Sequence, residues 1–384
     1  MFKRVFTRVF SLAFSKRNGT FEALVASRYA RGCTILIIKT KYPCRTYTMF
    51  HKKDDKKYIR GVNIGGWLVP ENFITPYFFA LTECDLKGDF RYFEGQIDAP
   101  PQGSPFYKKA NYAECPPVPR EDYPKDLWDM NKLFRDANNG TSTIVENYFN
   151  IHYDNMVKRE DISGLKAGGV THVRVPMGHW ILGDIEGDEP YVQGGWSSFA
   201  RVVQWCREDG IQVWPDLHGA PGSQNGFDNS GLINLNFEHG WGMSTCVGWD
   251  GNATDSYLNE TGGVLPYNVE RSLRVIDQIT SRFVSDGMSD VVTGFGILNE
   301  PFADCNAVIL EEFYNRGLDI MRRNMGRDIH VYIGDKFAPE RWQDDNGFWS
   351  GDNYTNTYLD SHFYHLFNAN DRGASARQNV AIVW

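Results

Sequence analysis

From about residue 57 onward the chain alternates two kinds of stretch. Short runs of β-branched and aromatic residues are followed by longer ones whose apolar positions recur every three or four residues. That is the rhythm of βα units built on a parallel sheet. The predicted strands cover 61–67, 171–177, 211–218, 291–300, 330–337 and 358–367. Predicted helices cover 154–168 and, approximately, 197–209, 269–285 and 307–325. Two stretches, 83–150 and 219–267, are rich in Pro, Asp, Gly and Asn and read as loop-like insertions. The first strand runs into GGWLVPEN, with no GxGxxG or GxxxxGK[ST] turn, which disfavours a doubly wound nucleotide-binding sheet. The expectation is an α/β chain whose residues 57–384 form a (β/α)8 TIM barrel, truncated at the C-terminus after about six βα units.

Residues 1–56 stand apart. Phe2, Val5, Phe6, Val9, Phe10 and Ala13 fall on one helical face, with Lys3, Arg4, Arg8, Lys16 and Arg17 supplying charge. The pattern is closer to a transit peptide than to a secretory signal. A disordered or artefactual extension, with Met49 as the true start, is the alternative, and under either reading this basic extension lies outside the fold. Residues 1–50 hold ten Lys/Arg against one acid, Glu22, yet the whole chain carries a net charge of −8. The globular part is therefore strongly acidic, which argues against nucleic acid as its partner. No apolar run approaches the ~20 residues of a membrane-spanning helix. A chain of 384 residues that is 42% hydrophobic can bury a large core. Its 7 cysteines, without a CxxC, do not make a disulfide scaffold. Cys84 and Cys115 flank the first insertion and could pair; the odd total leaves at least one thiol over.

Candidate chemistry gathers at the predicted strand ends: Arg174; Asp216 and His218; Asn299, Glu300 and Pro301; His362 and Tyr364. In a barrel these ends converge on the face where active sites are built. Each alone reads more readily as a structural hydrogen-bonding residue, but a series at successive strands does not. Glu300 follows a buried GFGIL strand and precedes a proline, so it is placed to point into the barrel mouth. There is no HExxH, no Cys/His cluster and no GxSxG, so neither a metal nor a cofactor is expected. Trp67, Phe78, Phe79, Trp180, Trp214, Phe227, Tyr364 and Phe367 lie at or beyond strand ends. They read either as walls for the apolar faces of sugar rings or as core. Core is favoured for Trp214, and a sugar wall for Phe227 in its polar GSQNGFDNSG loop.

Five blocks then resemble glycoside hydrolase family 5, the fungal-type exo-β-1,3-glucanases: RGVNIGGWLVPENFITPYFF, HVRVPMGHW, WPDLHGAPGSQNGFDNSG, GILNEP and SHFYHLF. They occur in family order between about residues 58 and 370. The resemblance implies retaining, exo-acting release of glucose from the non-reducing ends of β-1,3-glucan, by a monomer without cofactor. It implies Glu300 as general acid/base and Asn299 against the sugar 2-hydroxyl. Arg174, His218, His362 and Tyr364 match the remaining polar positions. Glu71 matches a residue that closes the pocket around the terminal glucose, and Phe227 with Phe367 an aromatic clamp at its entrance. Retention needs two carboxyls about 5–5.5 Å apart.

The resemblance places the nucleophile, a Glu in a GEW-type motif, on a seventh strand that these residues do not include. After Glu340 the acids are Asp344, Asp345, Asp352, Asp360 and Asp371, none in such a motif. An inactive fragment is therefore expected, with a glucan-binding pseudoenzyme or an enzyme for another β-glucan as alternatives. Family habit and five Asn-x-Ser/Thr triplets, at Asn18, Asn139, Asn252, Asn259 and Asn353, favour an extracellular or cell-surface location.

Overall fold

The computed structural model describes residues 12–17, 20–29, 32–40, 59–91, 93, 115–119, 122–233, 266–302, 305, 307–342 and 354–362. Three strands near the N-terminus, β1 (Leu12–Arg17), β2 (Thr20–Tyr29) and β3 (Gly32–Thr40), pair antiparallel as a sheet of their own. Six more form the main sheet: β4 (Gly61–Asn63), β5 (His172–Gly178), β6 (Gln212–Gly219), β7 (Gly294–Gly296), β8 (His330–Gly334) and β9 (Thr357–Asp360). All of its pairings are parallel, and strand order follows chain order without reversal. A doubly wound sheet reverses at a switch point, whereas a barrel wall advances one strand at a time. The truncated-barrel expectation therefore stands: among the described residues six strands form an arc of a barrel, with β4 and β9 outermost.

Period-two alternation sets what each strand face does. Val173, Val175, Val213, Leu217, Phe295, Ile297, Val331 and Ile333 are buried on the helix side. They pack in one core with Phe199, Val202, Ile276, Phe283, Phe313 and Met321. These come from the helices that follow β5, β6 and β7: Trp196–Asp209, Pro266–Ser285 and Ala307–Met325. The alternate residues line the inside of the arc. At its floor Trp214 lies 4.3 Å from the His172 ring and 4.8 Å from Tyr332, which stacks on Tyr358 at 5.7 Å. Asp216 lies one layer higher, and Gly296 on β7 makes room for it, since a Cβ at Gly296 would sit 2.7 Å from that of Asp216.

Three expectations are corrected. The stretch 83–150 is not merely irregular: it contains the helices Glu83–Leu86, Leu127–Ala137 and Thr143–Asn155. Val145, Tyr148, Phe149, His152 and Tyr153 give the last of these a buried stripe at helical spacing. Its three Asn and two Tyr, poor helix formers, hide that stripe from a propensity reading. The helix expected over 154–168 is accordingly two, the second being Arg159–Ala167.

The strands over 12–40 replace the helical face for Ala13, Lys16 and Arg17. Arg17 pairs with Thr20, the Asn18–Gly19 between them being a strong hairpin dipeptide, and β3 carries the β-branched Thr34, Ile35, Ile37, Ile38 and Thr40. Residues 2–10 lie outside the described residues, as do 234–265 of the second insertion. Cys84 and Cys115 are joined in a disulfide, and Cys206 is a buried free thiol.

Phe295 is fully buried on β7, its ring 6.1 Å from Phe283. Phe295→Ala should lower unfolding stability by about 3–5 kcal/mol in denaturant titrations. A loss below about 1 kcal/mol would contradict this placement of the sheet against its helices.

Candidate active site

The strand ends do converge. Asp216, at the C-terminal part of β6, is the hub. Its Oδ2 accepts from Arg174 Nη2 on β5 at 3.0 Å and from His218 Nδ1 at 2.8 Å. Arg174 Nη2 also donates to Asn299 Oδ1 at 2.7 Å, and Asn299 Nδ2 lies 3.4 Å from His218 Nε2. The four side chains thus form a closed ring, and Asn299 is held beside Glu300.

Glu300 has φ = 44°, in the left-handed region that non-glycine residues rarely occupy. Such strain persists only where surrounding contacts over-determine the backbone. Gln224 supplies some of them: its Nε2 donates to the carbonyls of His218 at 2.7 Å and Asn299 at 2.8 Å. Asn225 Nδ2 donates to the Glu300 carbonyl at 3.1 Å. The carboxyl is gripped as well. Asn229 Nδ2 donates to Oε2 at 2.8 Å, and His362 Nδ1 lies 2.5 Å from Oε1. His362 Nε2 is in turn 3.2 Å from Asp360 Oδ2. Burial works against charge on His362, but Asp360 and Glu300 outweigh it and raise its pKa to about 10.

Glu71 sits in the loop after β4 and is 6% exposed. Burial pushes its pKa well above the carboxylate range, reinforced by Asp228 and Glu300 and opposed by Arg174. Asp228 is also raised, by burial first and then by Glu300. The Glu71 loop is fixed from below by His152, whose Nε2 lies 3.0 Å from the carbonyls of both Gly66 and Trp67. Burial lowers the His152 pKa to about 4, so the ring holds these carbonyls as a neutral donor.

The aromatic expectations divide. Phe227 is half-buried at the mouth, with its ring 5.5 Å from Phe302, edge to face. Phe302 in turn meets Phe337 at 6.1 Å. Tyr364 and Phe367 lie outside the described residues. Trp67, Phe78, Phe79 and Trp180 are core and not sugar walls, each at most 2% exposed. Trp180 stacks on Tyr191 and packs under the loop that carries Phe227 and Asn229. A Cβ at Gly231, with φ = 86°, would come within 2.6 Å of its ring. Trp214 is half-buried in the floor layer, consistent with the core reading.

Asp360 was set aside on motif grounds, yet it stands in the site. Its place two residues before His362 in the predicted strand 358–367 puts both on one face, a signal the sequence did carry; in the structure β9 ends at Asp360 and His362 follows it. Gln224, Asn225 and Asn229 were also missed, and only the folding-back of their loop reveals them. Among the described residues, no group of three or more His, Cys, Asp and Glu is arranged to hold a metal ion.

The chain is 31% identical over 332 residues to the glucan 1,3-β-glucosidase of Pichia angusta, covering 85% of this chain and 59% of that protein. It is 30% identical over 346 residues to glucan 1,3-β-glucosidase 2 of Wickerhamomyces anomalus, covering 88% and 65%. It is a homologue of proteins named glucan 1,3-β-glucosidase. The chain spans about three-fifths of the length of these relatives. No family model matches it. Rutinosidase from Aspergillus niger shares the fold, with a TM-score of 0.51 at 16% identity over 78% of this chain and 67% of that chain.

Asp126 ties the Phe227 loop to its surroundings. Its carboxylate accepts from Asp129 N at 2.8 Å, capping a helix, and from Ile233 N at 2.5 Å. Burial raises its pKa to about 6. A raised carboxyl pKa stabilises the fold below the unfolded pKa and loses that contribution as pH rises through the folded one. Relative to Asp126→Asn, the protein should therefore lose about 2 kcal/mol between pH 4 and pH 7. Denaturant melts at both pH values measure this; equal slopes for the two proteins would refute it.

Proposed function

We infer that this chain carries the acid/base half of a glycosidase site acting on β-1,3-glucan. The observation behind the reading is the setting of Glu300. One carboxyl, on a strained backbone at the end of a barrel strand, has an amide on one oxygen and an imidazole on the other. Asn299 stands beside it for a sugar hydroxyl. The names of the relatives point to the same chemistry. The buried Glu71, whose pKa is raised well above its ordinary value, suits a closed pocket, because a neutral carboxyl both donates to and accepts from hydroxyls. Phe227 and Phe302 offer apolar rings where a second sugar would leave the pocket.

The mechanism that fits is retaining double displacement, with Glu300 protonating the leaving oxygen and later activating water. A second carboxylate about 5–5.5 Å away is required as nucleophile. By the resemblance it belongs on a following strand, and none of the described acids is assigned the role. By the resemblance Glu71 closes the pocket, which would favour exo attack releasing glucose from non-reducing ends.

The test is reducing-sugar release from laminarin and from carboxymethylcellulose. It uses both the 384-residue chain and the product of the complete transcript, each with its Glu300→Gln variant. The complete product should cleave laminarin in preference, and Glu300→Gln should lower kcat about 10²–10⁴-fold while laminarin binding persists. Binding without cleavage by the complete product would favour the glucan-binding alternative. Preference for carboxymethylcellulose would move the substrate to another β-glucan.

The Cys84–Cys115 disulfide supports a secretory route, because such bonds persist in oxidising compartments. Asn139, exposed in an Asn-Gly-Thr triplet, should then carry an N-glycan, seen as a mass shift on deglycosylation of protein recovered from the medium or cell surface. Recovery of unglycosylated protein from an intracellular fraction alone would refute that route.

A further inference from the structure

A side chain outside the expected set stands beside the partner of Glu300. Asp360 closes β9, where its Oδ2 lies 3.2 Å from His362 Nε2, and the other ring nitrogen of His362 lies 2.5 Å from Glu300 Oε1. The three groups form one line across the arc, from the β9 edge to the end of β7. An imidazole has two free rotations, and a contact at one nitrogen leaves the ring free to swing about it. Contacts at both nitrogens fix its plane and its reach. Asp360 is itself steadied by Arg174 Nη2 on β5, at 4.0 Å.

We propose that Asp360 is a positioning residue for Glu300: its carboxylate anchors the far nitrogen of His362 and so aims a protonated near nitrogen at the Glu300 carboxyl. The function of His362 then depends on its charge. A neutral ring bonded to two carboxylates would have to turn an acceptor nitrogen toward one of them. With both nitrogens protonated, it donates to Asp360 and to Glu300 at once. The imidazolium stands where it opposes the negative charge that Glu300 acquires on giving up a proton.

The surroundings bear on this charge from every side. Glu300 faces the ring from the end of β7, and Asp335 reaches both His362 and Asp360 electrostatically from the end of β8. Arg174 on β5 and His218 on β6 act on Asp360, and the Tyr332 hydroxyl lies near enough to feel it. Burial raises the Asp360 pKa, but His362 and Arg174 outweigh it and hold the carboxyl below its usual range. Asp360 is thus held ionised beside the ring.

This inference deepens the reading of Glu300 as acid/base, but its test requires no hydrolysis. The 384-residue chain, labelled with ¹⁵N-histidine, is titrated by NMR, with the His362 signal assigned by its loss in His362→Gln. In the wild type the ring should remain doubly protonated at pH 8. In Asp360→Asn its midpoint should fall by more than about one pH unit, and Asp360→Glu should restore it. The His152 ring, neutral throughout, reports that the variant is folded. A neutral His362 in the wild type at pH 7 would overturn the proposal, and so would an unchanged midpoint in folded Asp360→Asn. Laminarin cleavage tests the glycosidase reading separately, so the two can fail independently.

Discussion

Asp216 is the carboxylate on which the inside of the arc is built. It is 2% exposed, and removing an ionised group from water costs several kcal/mol unless its oxygens are well satisfied. Arg174 and His218 both bond its Oδ2 and so become fixed themselves, while Oδ1 is buried without a hydrogen-bond partner among the described residues. Arg174 can hold Asn299 only because its guanidinium is already anchored. Taking away either partner would leave a buried charge uncompensated, which is far more costly than never having had the pair. Gly296, directly across on β7, belongs to the same constraint, because any larger residue there would displace the carboxylate.

Backbone strain follows from that rigidity. Glu300, Lys336 and Phe337 all adopt positive φ, and all lie in the connections that leave the C-terminal ends of β7 and β8. A free loop would relax such torsions at a gain of order 1–3 kcal/mol each. Here the chain is tied on both sides. Gln224 and Asn225 bind carbonyls of the β6 and β7 ends, and Lys336 Nζ donates to the Cys305 carbonyl at 2.8 Å. The sheet supplies strand ends in register, the amide side chains lock the turns between them, and Glu300 is aimed by both.

Much of this was legible in the sequence, for a physical reason. Parallel strands covered by helices must be apolar on one face, so THVRVPM and IQVWPDLH show alternation that dates each side chain to the helix side or the inside. Arg174, Asp216 and His218 emerge from that alternation alone. Glu300 emerges from its place between a buried strand and a proline. What was not legible depends on contacts made at a distance. Asn229 and Gln224 sit in a polar loop whose composition says only that it is a loop. Trp67 and Trp180 have the composition of a sugar wall, and only packing shows them to be core. Asp360 was passed over because a motif was sought where a two-residue spacing was the signal.

The charge count of the site gives its chemistry a direction. Glu71, Asp216, Asp228, Glu300 and Asp360 crowd around one arginine and a charged His362. Five carboxylates cannot all remain ionised against so few cations, so the environment has to divide them. Asp360 goes to the ionised side, held there by His362 and Arg174. Burial and neighbouring carboxyls push Glu71 well above its ordinary pKa and raise Asp228 in the same direction. A neutral acid can donate a hydrogen bond and an ionised one cannot. The same residue type therefore supplies donors on the Glu71 side and a fixed negative charge on the β9 side, with Glu300 between them. That gradient suits a hydroxyl-rich ligand entering at Glu71, with a proton leaving from Glu300.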